Sequence, residues 1–487
     1  MDITFVTTEL APFVKVGGLA DVSAALPKAL KSLGHAVTIV LPRYPALEEQ
    51  GLLLARRLTP LQFSLGDRSF SVTVFDGRLA SQVDLVVIDA PGLFDRTGVY
   101  GERGEEFPDA ALRFAVLSRA AAELVRQRVA SGRAADVVHV NDWPTALVPT
   151  YLKELAKETP ALASVRTVLT IHNVAHQGVF PKATLPTLGL GWEHFTLDGL
   201  EFYGGINLLK QGILTADVVT TVSPTYAREI QTAEHGAKLE GVLSARGDKL
   251  AGICNGVDYA VWNPATDPAL AGRYDAEDFA NKARCKGALQ KELGLPIDAA
   301  APLVASVGRM VAQKGTDLVS AVVSKVLRAT DAQLVIAGDG EPGLVSAVET
   351  VVAKSHGRAA FARAASETLV HRIFAAADVV LVPSRFEPCG LVQMYAQRYG
   401  ALPVAHAVGG LKDTIVDCDA KLETGTGFLF DAPSVDGLLG AIERAIAARG
   451  LPRWPGLVRR VMRLDRGWEG PARRYEQVYR TVAARSV

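Results

Sequence analysis

The chain is 487 residues long, room for two large domains or three small ones. With 49% hydrophobic and 21% charged residues it has the profile of a folded protein, which excludes disorder. Lys+Arg and Asp+Glu both number 52, so formal net charge is zero, no nucleic-acid partner is expected, and any anionic ligand must be held locally.

Apolar runs such as Leu85–Ile88 and Val379–Val382 fall far short of the roughly 20 residues that span a bilayer, so no membrane partner is expected either. The cysteines, Cys254, Cys285, Cys389 and Cys418, are irregularly spaced with no C-x-x-C, which indicates neither a disulfide framework nor a zinc site and fits a reducing compartment. Met1 leads straight into Ile3-Thr4-Phe5-Val6-Thr7, so no leader segment is read and a cytoplasmic location is expected.

Short β-branched runs alternate with longer helical patterns, the signature of βαβ units, so the class is α/β with doubly wound, mostly parallel sheets. Strands are predicted near Ile3–Thr7, Val37–Leu41, Leu85–Ile88, Val137–Val140, Val168–Ile171, Val218–Val222 and Leu250–Ile253, with helices over about Ala20–Leu33, Asp109–Val129 and Pro144–Lys157. These make a first domain, residues 1–250. After the turn-rich stretch around Asn255-Gly256-Val257-Asp258, a second domain, residues 251–465, has predicted strands near Leu303–Val307, Gln333–Ala337, Val379–Val382, Pro403–Ala405 and Phe428–Phe430. Trp468–Val482 reads as an amphipathic helix with Tyr475, Val478, Tyr479 and Val482 on one stripe, and residues 466–487 are expected to pack back on the first domain. One echo links the halves: Gly17-Gly18-Leu19-Ala20-Asp21 returns as Gly409-Gly410-Leu411-Lys412-Asp413, each between a predicted strand and a predicted helix. Two Rossmann-like domains facing one another across a cleft would put both glycine pairs at carboxyl ends of strands, where such sheets bind ligands.

A glycine pair at a strand-to-helix turn admits close approach of a ligand and leaves helix N-terminal amides for an anion; a turn that needs positive φ is an equal reading of either pair alone. Lys15 adds a cation suited to a phosphate, or is a solvated surface lysine. Arg309 and Lys314 follow a predicted strand end and would neutralise a pyrophosphate leaving group in place of a divalent metal, a surface salt bridge being the alternative for one of them. Asp417-Cys418-Asp419 reads as a solvated turn, so no metal is expected. In Ser384-Arg385-Phe386-Glu387-Pro388-Cys389-Gly390-Leu391, Glu387 either faces a ligand from the end of its strand or serves only as an acid at a helix N-terminus. Asp142 and His172 stand at two further strand ends, with a helix N-cap and a structural histidine as the plainer readings.

Lys15-Val16-Gly17-Gly18-Leu19-Ala20-Asp21, Thr170-Ile171-His172-Asn173, Gln177-Gly178, Ser223 to Ile230, Asn255-Gly256-Val257-Asp258, Ser384 to Leu391 and Thr424-Gly425-Thr426-Gly427-Phe428 together closely resemble bacterial glycogen synthase and plant starch synthase, in order and at compatible spacings. The resemblance implies the GT-B fold and a hexosyltransferase that moves glucose from ADP-glucose to the non-reducing 4-hydroxyl of an α-1,4-glucan with retention, without a cofactor. It implies that Arg309 and Lys314 bind the donor phosphates, that Gly409 and Gly410 give amides to the pyrophosphate, that Glu387 sits beside the reacting sugar, and that Asp142 and His172 contact the transferred glucose. Lys15, Gly17 and Gly18 would line the cleft, Asn255 would serve the hinge-side pocket, and Cys389, Gly390 and Leu391 complete the substrate-binding set. The family is assigned a front-face path to retention, on which Glu387 positions and stabilises; double displacement on a carboxylate is the other route.

The chain departs from the family pattern in places. Asn141-Asp142-Trp143-Pro144 stands for His-Asp-Trp-His, Val408 for a threonine, Ala365 for the tyrosine that packs on adenine ahead of Glu367 and His371, and His176 for a tyrosine. The runner-up readings are therefore a related transferase using UDP-glucose or another acceptor, and a glucan-binding homologue without turnover. A nicotinamide dehydrogenase ranks low because no G-x-G-x-x-G follows the first strand.

Overall fold

In the computed structural model, which describes residues 1–102 and 105–484, the chain divides into two compact units. One is Met1–Gly256 with the segment from Trp468; the other is Val257–Gly467. The division falls at 256/257 and 467/468, slightly beyond the 250/251 and 465/466 read from the sequence. Gly256 lies on the first side because it packs on Trp468, so closely that a Cβ would clash with that residue. Residues 485–487, the end of the segment expected to pack back, lie outside the described residues.

The first unit is built on a ten-stranded sheet. Its parallel part runs Leu250–Gly252, Val218–Thr221, Arg166–Ile171, Val137–Asn141, Asp2–Val6, Ala36–Pro42, Asp84–Asp89 in spatial order. Both faces are apolar, with Ile3, Phe5, Val37 and Ile39 in one buried layer and Val6, Val40, Val138 and Val140 in the other, as a parallel sheet covered by helices requires. The sequence reading left out an antiparallel extension in which Arg68–Arg78 pairs with Asp84–Asp89, Leu54–Arg56 and Leu61–Leu65. Leu61–Leu65 alternates buried and exposed residues, the period-two signal of a half-covered strand.

The helix expected over Pro144–Lys157 is two helices, Asp142–Thr145 and Val148–Ala156. Pro149 has no N–H to give to the Thr145 carbonyl, so the ladder breaks there. The C-terminal helix Glu469–Ala484 buries Ala472, Tyr475, Tyr479 and Val482 in the same layer as Ile3 and Phe5, and the Tyr479 hydroxyl lies 2.7 Å from His139 Nδ1.

The second unit has a six-stranded parallel sheet in the order Ala359–Arg363, Gln333–Gly338, Leu303–Val307, Val379–Val382, Leu402–His406, Phe428–Phe430. Ala359–Arg363 was not foreseen because its alanines carry no strand preference. In both units the chain starts in mid-sheet, builds to one side and returns to the other. The order reverses between Asp2–Val6 and Val137–Asn141 in the first unit and between Leu303–Val307 and Val379–Val382 in the second. Ligands of open α/β sheets bind at the carboxyl ends of strands at such reversals, so each unit has its own candidate binding edge. Among the described residues no helix is long and apolar enough to cross a membrane.

Candidate active site

In the first unit the chain leaves Asp2–Val6 through Thr7-Thr8-Glu9 and enters the helix Gly18–Ser32. Glu9 is 3% exposed; one carboxylate oxygen accepts the amides of Val16 and Gly17, each at 2.8 Å, and the other accepts the Tyr100 hydroxyl at 2.8 Å. A buried carboxylate therefore folds the Lys15-Val16-Gly17-Gly18 turn around itself. Because the Gly17 amide is engaged by Glu9, it is not held back for an anion, a correction to the expectation for this glycine pair. What Gly17 offers is room: its backbone is extended, and a Cβ there would meet nothing within 4 Å. Lys15 reaches Asp21 at 2.8 Å, a partly solvated pair.

Glu9 and Tyr100 were both missed from the sequence. The signal for Glu9 was present, a carboxylate just past the end of the first strand, the same placement that singled out Glu387. Tyr100 carried no signal, because only the fold brings it to Glu9.

Asp142 sits at φ +55°, a left-handed conformation that a non-glycine residue holds only when its surroundings enforce it. The N-cap of Asp142–Thr145 is Asn141, which corrects the N-cap reading of Asp142. Asp142 Oδ1 instead accepts the His172 amide at 2.7 Å, tying two neighbouring strand ends together, and burial pushes its carboxyl up to about 7. Asn141, which replaces a family histidine, donates from Nδ2 to the Val6 carbonyl at 2.9 Å; this leaves Oδ1 to accept from His172 Nε2 at 2.9 Å. His172 then carries its proton on Nε2 and presents Nδ1 as an acceptor. Asn255, 7% exposed, has a buried Oδ1 with no hydrogen-bond partner among the described residues, an acceptor that a ligand hydroxyl would satisfy.

Burial holds the His172 and His139 imidazoles down at about 3, so both rings are neutral through the physiological range. Depressed histidine values mean that only the unfolded chain takes up these protons at mild acidity. The stability each ring contributes is complete above its unfolded value and is lost as pH falls from about 6.5 toward 3. Nitrogen-15 chemical shifts at pH 5 are expected to report two neutral rings with His172 protonated on Nε2; a neutral His172 ring protonated on Nδ1 instead would contradict the bond to Asn141, and a charged ring would contradict the effect of its burial.

In the second unit, Glu387 is 5% exposed, and its Oε2 accepts from Lys314 Nζ at 2.6 Å and from the buried Ser384 hydroxyl at 2.8 Å. Lys314 follows Leu303–Val307 and Glu387 follows Val379–Val382, so this ion pair spans the point where the strand order reverses. Arg309 is exposed on the same side, and no hydrogen bond or ion pair engages its guanidinium among the described residues. The two cations foreseen at a strand end thus differ: one is paired with the site carboxylate and the other faces solvent.

Gly409 and Gly410 open the helix Gly409–Thr414 as expected, but the Gly410 amide donates to the Glu387 carbonyl at 3.0 Å. That corrects its assignment as a pyrophosphate donor. Gly410 is needed for packing, since a Cβ would collide with the backbone of Cys389. Cys389 is buried and Gly390 takes φ +73°, with Leu391 leading into Val392–Arg398. These residues shape the Glu387 loop. His371 lies away from the strand ends: it is buried, stacked 4.0 Å from Trp262, and its Nδ1 lies 2.6 Å from Asp267 Oδ2. Asp419 closes a turn by accepting the amides of Lys421 and Glu423.

Residues 2–245 match the family model described as starch synthase catalytic domain. The chain belongs to the glycogen and starch synthase family. Residues 293–454 match a second model, glycosyl transferases group 1. A glycogen synthase of Anaeromyxobacter sp. (strain Fw109-5) is 46% identical over 99% of this chain and 100% of its own length, and one of Paracidovorax citrulli is 42% identical over 98% and 94%. The solved catalytic domain of starch synthase IV from Arabidopsis thaliana, bound to ADP and acarbose, is 34% identical with a TM-score of 0.90, covering 99% of each chain. A sucrose-phosphate synthase from Thermosynechococcus elongatus, 20% identical with a TM-score of 0.62, shares the fold alone. The two Rossmann-like units are thus those of a GT-B glycosyltransferase, and the chain is a hexosyltransferase.

Proposed function

We propose that this enzyme transfers glucose from ADP-glucose to the non-reducing 4-hydroxyl of an α-1,4-glucan with retention. The observation that carries the reading is the cluster of Ser384, Glu387 and Lys314 at the strand reversal of the second unit, with Arg309 exposed in the loop that leads to Lys314. A diphosphate seated there meets two cations, and positive charge developing at the sugar's anomeric carbon meets a fixed carboxylate. Glu387, with one oxygen held by two donors, is suited to position and stabilise rather than to attack. In the first unit, neutral His172 offers Nδ1 to a sugar hydroxyl, Asp142 holds the loop that carries it, and Asn255 Oδ1 accepts a further hydroxyl. Lys15 and the open space at Gly17 stand at another strand end of the same unit. The starch synthase IV structure bound to ADP supports an adenine nucleotide as the donor's base.

Ala365 keeps a UDP-glucose donor in view, since it removes an aromatic face on which adenine would stack. The two are separated by nucleotide release in the presence of glycogen with ADP-glucose and UDP-glucose offered singly. ADP release at much the higher kcat/KM is expected. Release from UDP-glucose alone would move the donor and leave the fold and the carboxylate cluster in place.

A further inference from the structure

A three-stranded antiparallel sheet, Val179–Pro181, Gly205–Asn207 and Glu201–Phe202, stands apart from the main sheet of the first unit. Its hairpin turns through Tyr203-Gly204, at φ +49° and +82°, the paired positive values of a type I′ turn. The first position of such a turn suits glycine, asparagine or aspartate, whereas here a tyrosine takes it and is left 75% exposed. Phe202 meets the Tyr203 ring edge-on at 4.8 Å and Lys238 Nζ lies over it at 4.9 Å. Lys238 is strained too: Ala237 and Lys238 have φ of +50° and +70°, consecutive left-handed residues without a glycine.

The two strained turns are fastened together. Gln177 donates from Nε2 to the Ala237 carbonyl at 2.9 Å and accepts on Oε1 from Asn207 Nδ2, in the hairpin strand, at 2.6 Å. Gln177 belongs to the loop that leaves His172 and Asn173, so the turn residues are registered to the loop that carries His172. Strain of this kind persists where the surroundings enforce it, and what it displays here is a largely exposed tyrosine ring with an ammonium over one of its faces.

We infer that Tyr203 and Lys238 form an α-1,4-glucan subsite that holds the acceptor chain away from its reacting end. This rests on the glucosyltransferase reading. A pyranose ring has an apolar C–H face and a rim of hydroxyls. Tyr203 supplies a flat apolar platform on its face away from the ammonium, and Lys238, over the other face, supplies three N–H donors to hydroxyls of a neighbouring glucose unit of the chain. An uncharged polymer calls for such a pairing rather than for a charged patch.

The test uses the full chain in native gels containing glycogen and in initial-rate assays with ADP-glucose. Glycogen should retard the wild type. Tyr203→Ala is expected to lose most of that retardation and to raise the glucan KM about tenfold, with Tyr203→Phe close to wild type. Leu58→Ala, at a fully exposed apolar residue elsewhere in the first unit, serves as control and should keep full retardation. Lys238→Gly separates ligand from backbone, because glycine relieves the left-handed strain: its melting temperature should hold or rise while retardation falls. Full retardation in Tyr203→Ala or in Lys238→Gly, or a wild type that glycogen does not retard, overturns the subsite. Absence of nucleotide release by the wild type refutes the transferase reading separately, and retardation then still decides the subsite.

Discussion

Glu387→Ala is expected to lower turnover by about 10²–10³-fold, with the folded structure retained. The carboxylate accepts from both Lys314 and Ser384 on Oε2, an arrangement that fixes the plane of the group and aims its charge. On the proposed reading, removing it takes away negative charge where the anomeric carbon becomes positive and sets the Lys314 ammonium loose where the diphosphate would sit. Folding survives because the Lys314 side chain is 29% exposed and can hydrate its ammonium, leaving only the Ser384 hydroxyl short of a partner. Glu387→Gln keeps the shape and removes the charge, so it should fall nearly as far. The measurement is kcat with saturating ADP-glucose and glycogen, beside circular dichroism of each variant. A glutamine variant within tenfold of wild type would show that shape rather than charge matters.

Glu9→Ala should be the most damaging change in the first unit, acting on fold and activity together. It strips the amides of Val16 and Gly17 and the hydroxyl of Tyr100 of a common acceptor. Each buried group left unpaired costs about 1–3 kcal/mol, so the unit should lose several degrees of melting temperature and the Lys15 turn should lose its shape. Glu9→Gln retains an amide oxygen for the two backbone donors and should recover much of the stability but not all of the activity, since the Tyr100 hydroxyl then faces a donor or must turn. Thermal unfolding and kcat/KM for the donor check both. Equal melting temperatures for wild type and alanine variant would contradict the role given to this carboxylate.

The parallel strands and the carboxylate of the second unit were legible because each lies in a local pattern: an apolar run, then glycine, cation or acid at its end. Val379–Val382 followed by Ser384 to Leu391 is such a case, and the Lys314–Glu387 pair joins two strand ends that the sequence had marked separately. What was hidden depends on distant partners. The engagement of the Gly410 amide by the Glu387 carbonyl, and of the Gly17 amide by Glu9, turned expected anion donors into structural ones. Asn141 looked like a lost imidazole; bonded to the Val6 carbonyl and to His172, it fixes the tautomer of a ring that was foreseen. The antiparallel strands around Tyr203 were missed because they are two or three residues long and broken by glycines, too short for any periodicity to register.

The central claim is the transfer of glucose to the non-reducing end of an α-1,4-glucan, and the most direct test is the fate of label from ADP-[¹⁴C]glucose incubated with the protein and glycogen. Label recovered in the polymer and released as maltose by β-amylase is the predicted result, since that enzyme cuts only α-1,4 linkages from non-reducing ends. Label that stays in ADP-glucose, is released by hydrolysis as free glucose, or enters the polymer in a form β-amylase does not release, would contradict it.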